Sequence, residues 1–246
     1  MKTYDGDTER MYDFFNGNYE KYGYSPKSLA WIKGKQNIRF AALTNFLDLN
    51  NHFSLLDIGC GFGDINKFLH QRGITDYTYY GIDLVEGMIS TANEIYQDYD
   101  NISFSCGDFL NDLSKDKCSK FDYIIASGIF NFQMNDTGNY DNVEEILKKA
   151  LTMCNADGAI SFDFQSDKVD YFADNGVSFY NSPEKILSIA YKYSRNVVLN
   201  NLYMPFEFAL TLFKDDKFEK NLVFNKFMAD NQKEFEEGIY HEEYTD

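Results

Sequence analysis

The sequence predicts an α/β protein built on a doubly wound sheet of seven strands, of which the last is antiparallel. Three observations predict it. Short apolar runs alternate with helical patterns from Ser54 onward, a glycine cluster over residues 59–63 follows the first run, and only Met204 and Pro205 separate the last two runs. Alternating strands and helices are typical of a parallel sheet. Two residues are too few for a parallel crossover, so the final pair must be antiparallel.

The elements of the first half follow from apolar spacing and stop signals. Ile65, Phe68 and Leu69 recur at helical spacing after the glycine cluster, and Gly73 is a natural helix stop. The expected order is a strand over residues 54–58, a helix from residue 64, a strand over 78–82, a helix that ends at residues 100–101, and a strand over 102–105.

The second half repeats this order and then closes the sheet. An uninterrupted apolar run such as residues 121–127 is typical of a strand buried on both faces. Ser182 followed by Pro183 gives the cap and first-turn residue with which helices begin. The expected elements are a strand over residues 121–127, a helix over 143–151, a turn at 155–158, a strand over 159–164, a helix from 182, and two strands over 196–203 and 206–213. The whole order predicts a Rossmann-like fold.

The flanking segments divide the chain into three parts. Residues 28–48 are patterned as an amphipathic helix, and the segment from Asn231 onward is acidic and weakly patterned. We therefore expect an N-terminal helical lid or cap over residues 1–53, a Rossmann-like domain over 54–214, and an acidic C-terminal extension over 215–246.

Composition excludes several classes of protein. Of the 246 residues, 44% are hydrophobic and 25% are charged, and no stretch approaches the roughly 18 apolar residues of a membrane span. The N-terminus has no apolar core for a secretion signal, so we expect a cytoplasmic protein. Four dispersed cysteines form no metal-ligand pattern and are expected to be free thiols: Cys60, Cys106, Cys118 and Cys154. We expect no metal.

The charge balance argues against nucleic acid as a partner. A formal net charge of -16 repels phosphate backbones at long range. One basic island interrupts it between residues 16 and 45, where Glu20 is the only acid among five cations: Lys21, Lys27, Lys33, Lys35 and Arg39. This island is either a solvated helix face or a site for an anionic partner.

The glycine cluster marks a ligand site. Glycines at a strand-to-helix turn permit positive φ and let a ligand approach the backbone next to free N–H groups at a helix N-terminus. Here the spacing is G-x-G-x-G, from Gly59 to Gly63, and Asp57 precedes it by two residues. A carboxylate at that position repels a pyrophosphate but suits a cationic amino-acid tail. The pattern therefore favours a nucleotide-like ligand other than a dinucleotide.

Two further acids stand at the ends of predicted strands. Asp83 follows the last glycine by twenty residues, where a carboxylate can accept both hydroxyls of a ribose. Asp108 could accept from an exocyclic amine, and Leu84 or Phe109 could flank a purine face. Because the carboxyl ends of parallel strands share one edge of the sheet, we expect these side chains to meet there.

The sequence resembles the class I S-adenosylmethionine-dependent methyltransferases over about residues 28–214. The resemblance rests on LLDIGCGFG at residues 55–63, GIDL at 81–84, CGDF at 106–109 and FDYIIASGIF at 121–130. It implies that the glycine loop lies against the methionine part of S-adenosylmethionine, that the acid of GIDL holds the ribose, and that the acid of CGDF meets the adenine amine. Residues 126–130 would lie near the transferred methyl.

The expected cofactor-binding residues are Asp57, Gly59, Cys60, Gly61, Gly63, Asp83, Leu84, Asp108, Phe109 and Ser127. The motifs are silent on the acceptor. No [DNS]-P-P-[YF] motif follows the fourth strand and no proline precedes a cysteine, which disfavours methylation of DNA bases. A small-molecule acceptor is the leading expectation.

No general base stands out. The three candidates for contact with the reacting groups are Asn131 and Gln133, after the fourth strand, and Asp163, at the end of the fifth. An acceptor that is already anionic, or a free amine, needs no base. Segments 25–36 and 203–208 look similar to methyltransferases of bacterial surface-polysaccharide clusters, which suggests an anionic or nucleotide-linked precursor such as a phosphoramidate, methylated on oxygen.

Two alternatives stay open at this point. A nicotinamide-dependent dehydrogenase is opposed by the glycine spacing and by the antiparallel last strand. A non-catalytic S-adenosylmethionine-binding or regulatory protein is the stronger alternative, because no catalytic residue is identifiable. The sequence does not indicate an oligomeric state.

Overall fold

The computed structural model describes residues 6–30, 36–113, 120–173, 175–214 and 222–232. Seven strands form one sheet: β1 Phe53–Ile58, β2 Tyr77–Asp83, β3 Ile102–Cys106, β4 Phe121–Ala126, β5 Cys154–Gln165, β6 Val197–Asn200 and β7 Glu207–Phe213. Their spatial order is β3-β2-β1-β4-β5-β7-β6. The predicted seven-stranded sheet is confirmed.

Seven helices accompany the sheet within the described residues: α1 Gly6–Tyr22, α2 Gln36–Thr44, α3 Asp64–Gln71, α4 Glu86–Ile95, α5 Asn139–Met153, α6 Pro183–Ala190 and α7 Leu222–Asp230. A short 3₁₀ turn, Ile129–Asn131, follows β4. α5 buries the apolar stripe that its spacing predicts, including Val143, Ile146 and Leu147.

The topology places a ligand crevice at one edge of the sheet. β1 pairs in parallel with both β2 and β4, while β7 runs antiparallel to both β5 and β6, as the short connection requires. The strand order reverses between β1 and β4. In open α/β sheets ligands bind outside the carboxyl ends of the strands at such a reversal.

The core lies on both faces of the sheet. Alternate residues of β1 point to opposite faces, so Leu56 packs with the cluster under α5 and α6, whereas Leu55 packs with the cluster around α3. Both side chains are at most 1% exposed. Within the described residues, no helix is both long and apolar enough to span a membrane.

The helix predicted over residues 28–48 is wrong at its start. α2 begins only at Gln36, and residues 26–30 form a turn. The Ser28 hydroxyl donates to the Gly23 carbonyl at 2.6 Å, and Ala30 has a φ of 57°. A side chain that binds the backbone and a left-handed residue both oppose a helix. Residues 31–35 lie outside the described residues.

The turn predicted at residues 155–158 is also wrong. β5 begins at Cys154, directly after α5, and the β4–β5 register shifts between Phe121 and Tyr123. At Gly158 an added Cβ would lie 2.4 Å from the carbonyl oxygen of Asp122. This glycine therefore marks a close approach of two strands and not a turn. Strand β6 ends at Asn200 and α4 ends at Ile95, both earlier than predicted.

Candidate functional site

A cavity of about 1700 Å³ lies at the carboxyl ends of the strands. The glycine loop, the ends of β2 to β5 and the inner side of α1 line it. Nine of the ten predicted cofactor residues are among the lining residues: Asp57, Gly59, Cys60, Gly61, Asp83, Leu84, Asp108, Phe109 and Ser127. The tenth, Gly63, is the N-cap of α3 and does not line the cavity.

The glycine loop has a conformation that only glycine adopts without strain. Gly59, Gly61 and Gly63 have φ values of 70°, 55° and 70°. A Cβ on Gly59 would lie 2.3 Å from Ile129 Cγ2, and one on Gly61 would lie 2.7 Å from Leu29 Cδ2. Neighbouring side chains therefore already occupy the space that a side chain here would need.

Asp83 shapes the glycine loop as well as facing the cavity. Its two carboxylate oxygens accept from backbone amides, one from Gly61 at 2.8 Å and the other from Val85 at 2.9 Å. Each oxygen keeps a second lone pair for a ligand. Burial raises the pKa of Asp83, and the backbone amides oppose that rise.

Asp108 has a similar local arrangement at the end of β3. Its Oδ1 accepts from the backbone amide of Leu110 at 3.0 Å, and its Oδ2 accepts from the side chain of Asn111. Lys149 Nζ lies 5.1 Å from the centre of the Phe109 ring, so that α5 helps to hold the residue next to Asp108. Phe109 itself is 5% exposed.

Asp57 is the most perturbed acid of the site. It is 4% exposed, and its Oδ2 accepts from the hydroxyl of Tyr79 at 2.8 Å. Burial raises its pKa to about 7, against the effect of the Tyr79 hydrogen bond, and the negative charges of Asp83 and Asp64 raise it further. A cationic ligand group beside Asp57 would favour its charged form.

The turn after β4 is held by an acid that stays out of the cavity. Asp163 is 1% exposed and accepts from the Ser127 hydroxyl at 2.6 Å and from the Gly128 amide at 2.7 Å. Burial raises its pKa, although the Arg39 charge and these hydrogen bonds oppose it. Asp163 is absent from the cavity lining. Its geometry fits a positioning role for the Ser127–Gly128 turn.

The other two predicted catalytic candidates differ in position. Asn131 lines the cavity, whereas Gln133 does not. The Gln133 amide donates to the Met134 carbonyl at 2.8 Å and to the side chain of Asn139, the first residue of α5, at 3.2 Å. Of the three candidates, only Asn131 is placed to meet an acceptor.

The described cysteines agree with the expectation of free thiols. Cys60, Cys106 and Cys154 are free, and Cys118 lies outside the described residues. Burial raises the pKa of Cys60 well above its usual value, so this thiol is a poor nucleophile. No cluster of three or more His, Cys, Asp or Glu side chains suited to a metal ion is found among the described residues.

Arg39, a member of the basic island, has neither of the two roles that the sequence suggests. This side chain is 7% exposed and forms two hydrogen bonds to the carboxylate of Glu207, of which Nε to Oε2 measures 2.5 Å. Burial lowers the pKa of Arg39 to about 10, which still leaves it charged at neutral pH. Lys33 and Lys35 lie outside the described residues. The Arg39 charge is thus neutralised within the fold.

Sequence reasoning missed Asp7, which fixes α1 over the cavity. Its carboxylate accepts from the backbone amides of residues 135–137 at 2.8 to 3.0 Å and from Arg10 at 2.7 Å. Burial favours a higher pKa for Asp7, but these hydrogen bonds outweigh it and lower the pKa. An acid in a first helical turn is common, so nothing in the sequence singles it out.

At the other end of α1, Tyr19 holds the helix to α4. Its hydroxyl lies 3.0 Å from the Thr91 hydroxyl, and its ring covers Gly87, where an added Cβ would lie 2.2 Å from Cε1. Phe15, Tyr19 and Leu29 pack on a small buried cluster that includes Phe62. α1 is therefore anchored on both sides of the cavity.

The fold and the cavity together define an α/β protein that binds a nucleotide-like cofactor at its switch point. Residues 49–170 match the model of a family described as a methyltransferase domain. The chain is 30% identical over 168 residues to Rv1506c of Mycobacterium tuberculosis, which is named as a methyltransferase; the match covers 66% of this chain and 93% of the relative.

Two further proteins are similar to the chain, one over a shorter stretch of sequence and the other in fold at low sequence identity. The malonyl-[acyl-carrier protein] O-methyltransferase of Acetivibrio thermocellus is 28% identical over 147 residues, with 59% of this chain but only 44% of that protein covered. The structure of the N-methyltransferase NodS from Bradyrhizobium japonicum WM9 has a TM-score of 0.60 and 14% identity, and covers 82% of this chain and 98% of NodS. The latter likeness shows the fold alone.

The chain belongs to the class I S-adenosylmethionine-dependent methyltransferases, and its cofactor is S-adenosylmethionine. The residues of the cavity fit this group. Asp83 and Asp108 line the cavity with carboxylates that would accept from the ribose hydroxyls and the adenine amine, and Leu84 and Phe109 would contact the purine. The buried Asp57 suits the cationic part of the molecule.

Cofactor affinity should rise with pH because Asp57 must ionise to attract the cation. Its raised pKa leaves part of the population protonated below neutrality. We expect the dissociation constant to fall between about pH 5.5 and pH 7.5, by up to roughly tenfold per unit below the pKa. Calorimetric titration at several pH values measures this. In Asp57→Asn the profile should be flat; an equally steep profile in that variant would assign the pH dependence to another group.

Proposed function

We propose that the protein transfers the methyl group of S-adenosylmethionine to a small-molecule acceptor bound between the strand ends and α1. The supporting observation is the cavity itself, which continues from the cofactor residues to Met11 and Phe14 of α1. When bound, the cofactor supplies an electrophilic methyl group. An acceptor oxygen or nitrogen would bond to that methyl carbon through its lone pair, the sulfur–carbon bond would break with its electrons left on sulfur, and the proton of a hydroxyl or amine acceptor would pass to solvent after the transfer.

The named relatives are compatible with such an acceptor without specifying it. One is an O-methyltransferase that acts on malonyl-[acyl-carrier protein], and NodS is an N-methyltransferase. The O-methyltransferase is thus compatible with an oxygen acceptor, whereas the likeness to NodS concerns the fold alone. The alternative of a cofactor-binding protein without activity loses support, because the family match is to methyltransferases.

A finer version of the proposal has an anionic or nucleotide-linked acceptor, such as a surface-polysaccharide phosphoramidate methylated on oxygen. Lys27, which lines the cavity, is the observation that favours it. Arg39 does not add to this support, since Glu207 pairs with it. We also propose a cytoplasmic location, with the free thiols of Cys60 and Cys154 as support.

We further propose that residues 1–53 form a lid on a catalytic domain over residues 54–214, with residues 215–246 as an extension. Asp7 and Tyr19 support the lid, because each fastens α1 to a different side of the cavity. A lid that closes the site excludes water and fixes the acceptor next to the methyl group.

Loss of the Asp7 carboxylate should loosen the lid. In Asp7→Ala, three backbone amides and Arg10 lose their acceptor, so we expect a higher KM for the acceptor and faster protease cleavage within α1. Asp13→Ala, an exposed acid on the same helix, is the matched control and should behave as the unmodified chain. Equal KM values in all three proteins would remove the lid from the mechanism.

The proposed function is tested by following the methyl group. The full chain is incubated with S-adenosylmethionine that carries a deuterated methyl and with a metabolite extract, and in parallel with protein and RNA fractions. We expect the label in a small molecule, by mass spectrometry, and strongly reduced transfer with Asp83→Ala at an S-adenosylmethionine concentration below saturation. Label in protein or RNA would overturn the small-molecule assignment.

A further inference from the structure

We infer that Asn131 and Gln165 bind the acceptor through their side-chain amides, and that the acceptor is an uncharged molecule with an apolar body. This inference rests on the proposed function and replaces its anionic version. Both residues line the cavity, Asn131 in the turn after β4 and Gln165 at the end of β5. They thus stand at the carboxyl ends of the neighbouring strands β4 and β5, close in sequence or pairing to residues 126–130, which the resemblance places near the transferred methyl.

The Asn131 side chain is fixed before any ligand arrives. Its Oδ1 accepts from the Gln165 backbone amide at 2.6 Å, while its own carbonyl accepts from Phe179 at 2.8 Å. With Oδ1 engaged, Nδ2 is left as a donor in a fixed orientation. Within the described chain, neither this Nδ2 nor the Gln165 side-chain amide has a hydrogen-bond partner. Oriented amides without partners in a cavity are suited to a polar ligand group.

The lining of the same cavity includes apolar side chains beside polar ones such as Asn175 and Ser178. Met11 and Phe14 of α1, with Ile129 and Val177, line the same cavity, and the Phe14 and Phe132 rings are 5.9 Å apart. Such a surface favours an apolar or aromatic body over a hydrated one.

Most cations of the cavity are already engaged by groups of the protein. The described cations that line it are Lys27, Arg39, Lys148 and Lys149. Arg39 is paired with Glu207, and Lys148 Nζ lies 3.3 Å from Glu144.

The other two cations also have local partners. Lys149 Nζ donates to the carbonyls of Phe109 and Leu110 at 2.5 and 2.8 Å. Lys27 Nζ lies 5.6 Å from the centre of the Tyr22 ring. An anionic acceptor would therefore have to displace carboxylates or carbonyls from three of the four cations, whereas a neutral one meets amides that are free to bind it.

The test separates the hydrogen-bond donor from the structural role of Asn131. Asn131→Asp keeps an oxygen to accept from Gln165 but removes the donor, and Gln165→Glu removes the second amide donor. We expect either change to lower kcat/KM for the acceptor by roughly tenfold or more, with unchanged S-adenosylmethionine affinity. Asn200→Asp is the matched control, because Asn200 Oδ1 also accepts from a backbone amide, at 3.1 Å, outside the cavity.

The readouts distinguish this inference from the function on which it rests. The labelled product should pass both anion- and cation-exchange resin at neutral pH; retention on either resin would overturn the neutral assignment. Unchanged kcat/KM in both variants, with an active parent protein, would overturn the roles of Asn131 and Gln165 alone. Absence of label from every fraction with the parent protein would overturn the proposed function and this inference together.

Discussion

Replacing Asp83 with alanine should weaken the binding of S-adenosylmethionine by roughly tenfold or more. The change removes the proposed acceptor for the ribose hydroxyls. It also removes the carboxylate that accepts from the backbone amides of Gly61 and Val85, so the glycine loop loses its support from β2. Both effects lower the affinity for S-adenosylmethionine. Calorimetric titration measures their combined effect on the dissociation constant.

Glu86→Ala is the matched control for this variant. Glu86 is an exposed acid in the first turn of α4, three residues beyond Asp83, and it does not line the cavity. Its removal changes the net charge by the same amount and should leave affinity unchanged. If Asp83→Ala binds the cofactor as tightly as this control, with its fold intact by circular dichroism, the ribose assignment is wrong.

Gly61→Val should abolish cofactor binding without unfolding the protein. At a φ of 55° a β-branched residue is strained by about 1–2 kcal/mol. The new Cβ would also lie 2.7 Å from Cδ2 of Leu29, so the end of that side chain, which lines the same cavity, must shift. A displaced loop no longer presents its backbone to the cofactor.

Gly73→Val separates backbone strain from damage to the site. Gly73 has a φ of 75°, yet nothing lies within 4 Å of its added Cβ. This control should lose a similar amount of stability in thermal unfolding while it binds S-adenosylmethionine normally. Normal binding by Gly61→Val would show that the loop is not the cofactor cradle.

The sheet and its acids could be predicted because their signals are local. Apolar runs and glycine spacing define where each strand ends. Because the strands are parallel, Asp57, Asp83 and Asp108 come to the same edge of the sheet, and this does not depend on the conformation of the loops. The turn misplaced at residues 155–158 shows the limit of that reasoning, since the close approach of β4 to Gly158 is a tertiary contact.

The partners of the N-terminal segment could not be predicted because they are distant in sequence. Arg39 pairs with Glu207, 168 residues away, and Asp7 binds backbone amides almost 130 residues away. A sequence pattern shows the charge of such residues but not which group neutralises it. The same limit explains why the basic island suggested an anionic acceptor, whereas the fold pairs Arg39 internally.

The most direct test of the account is a crystal structure of the full chain with S-adenosylhomocysteine. We expect the ribose hydroxyls at hydrogen-bond distance from Asp83, the adenine amine at Asp108, and the amino group near Asp57, with α1 closed over the ligand. Open space should remain beside Asn131 for the acceptor. A nucleoside bound away from Asp83 and Asp108 would contradict the assignment of the cavity as the cofactor site.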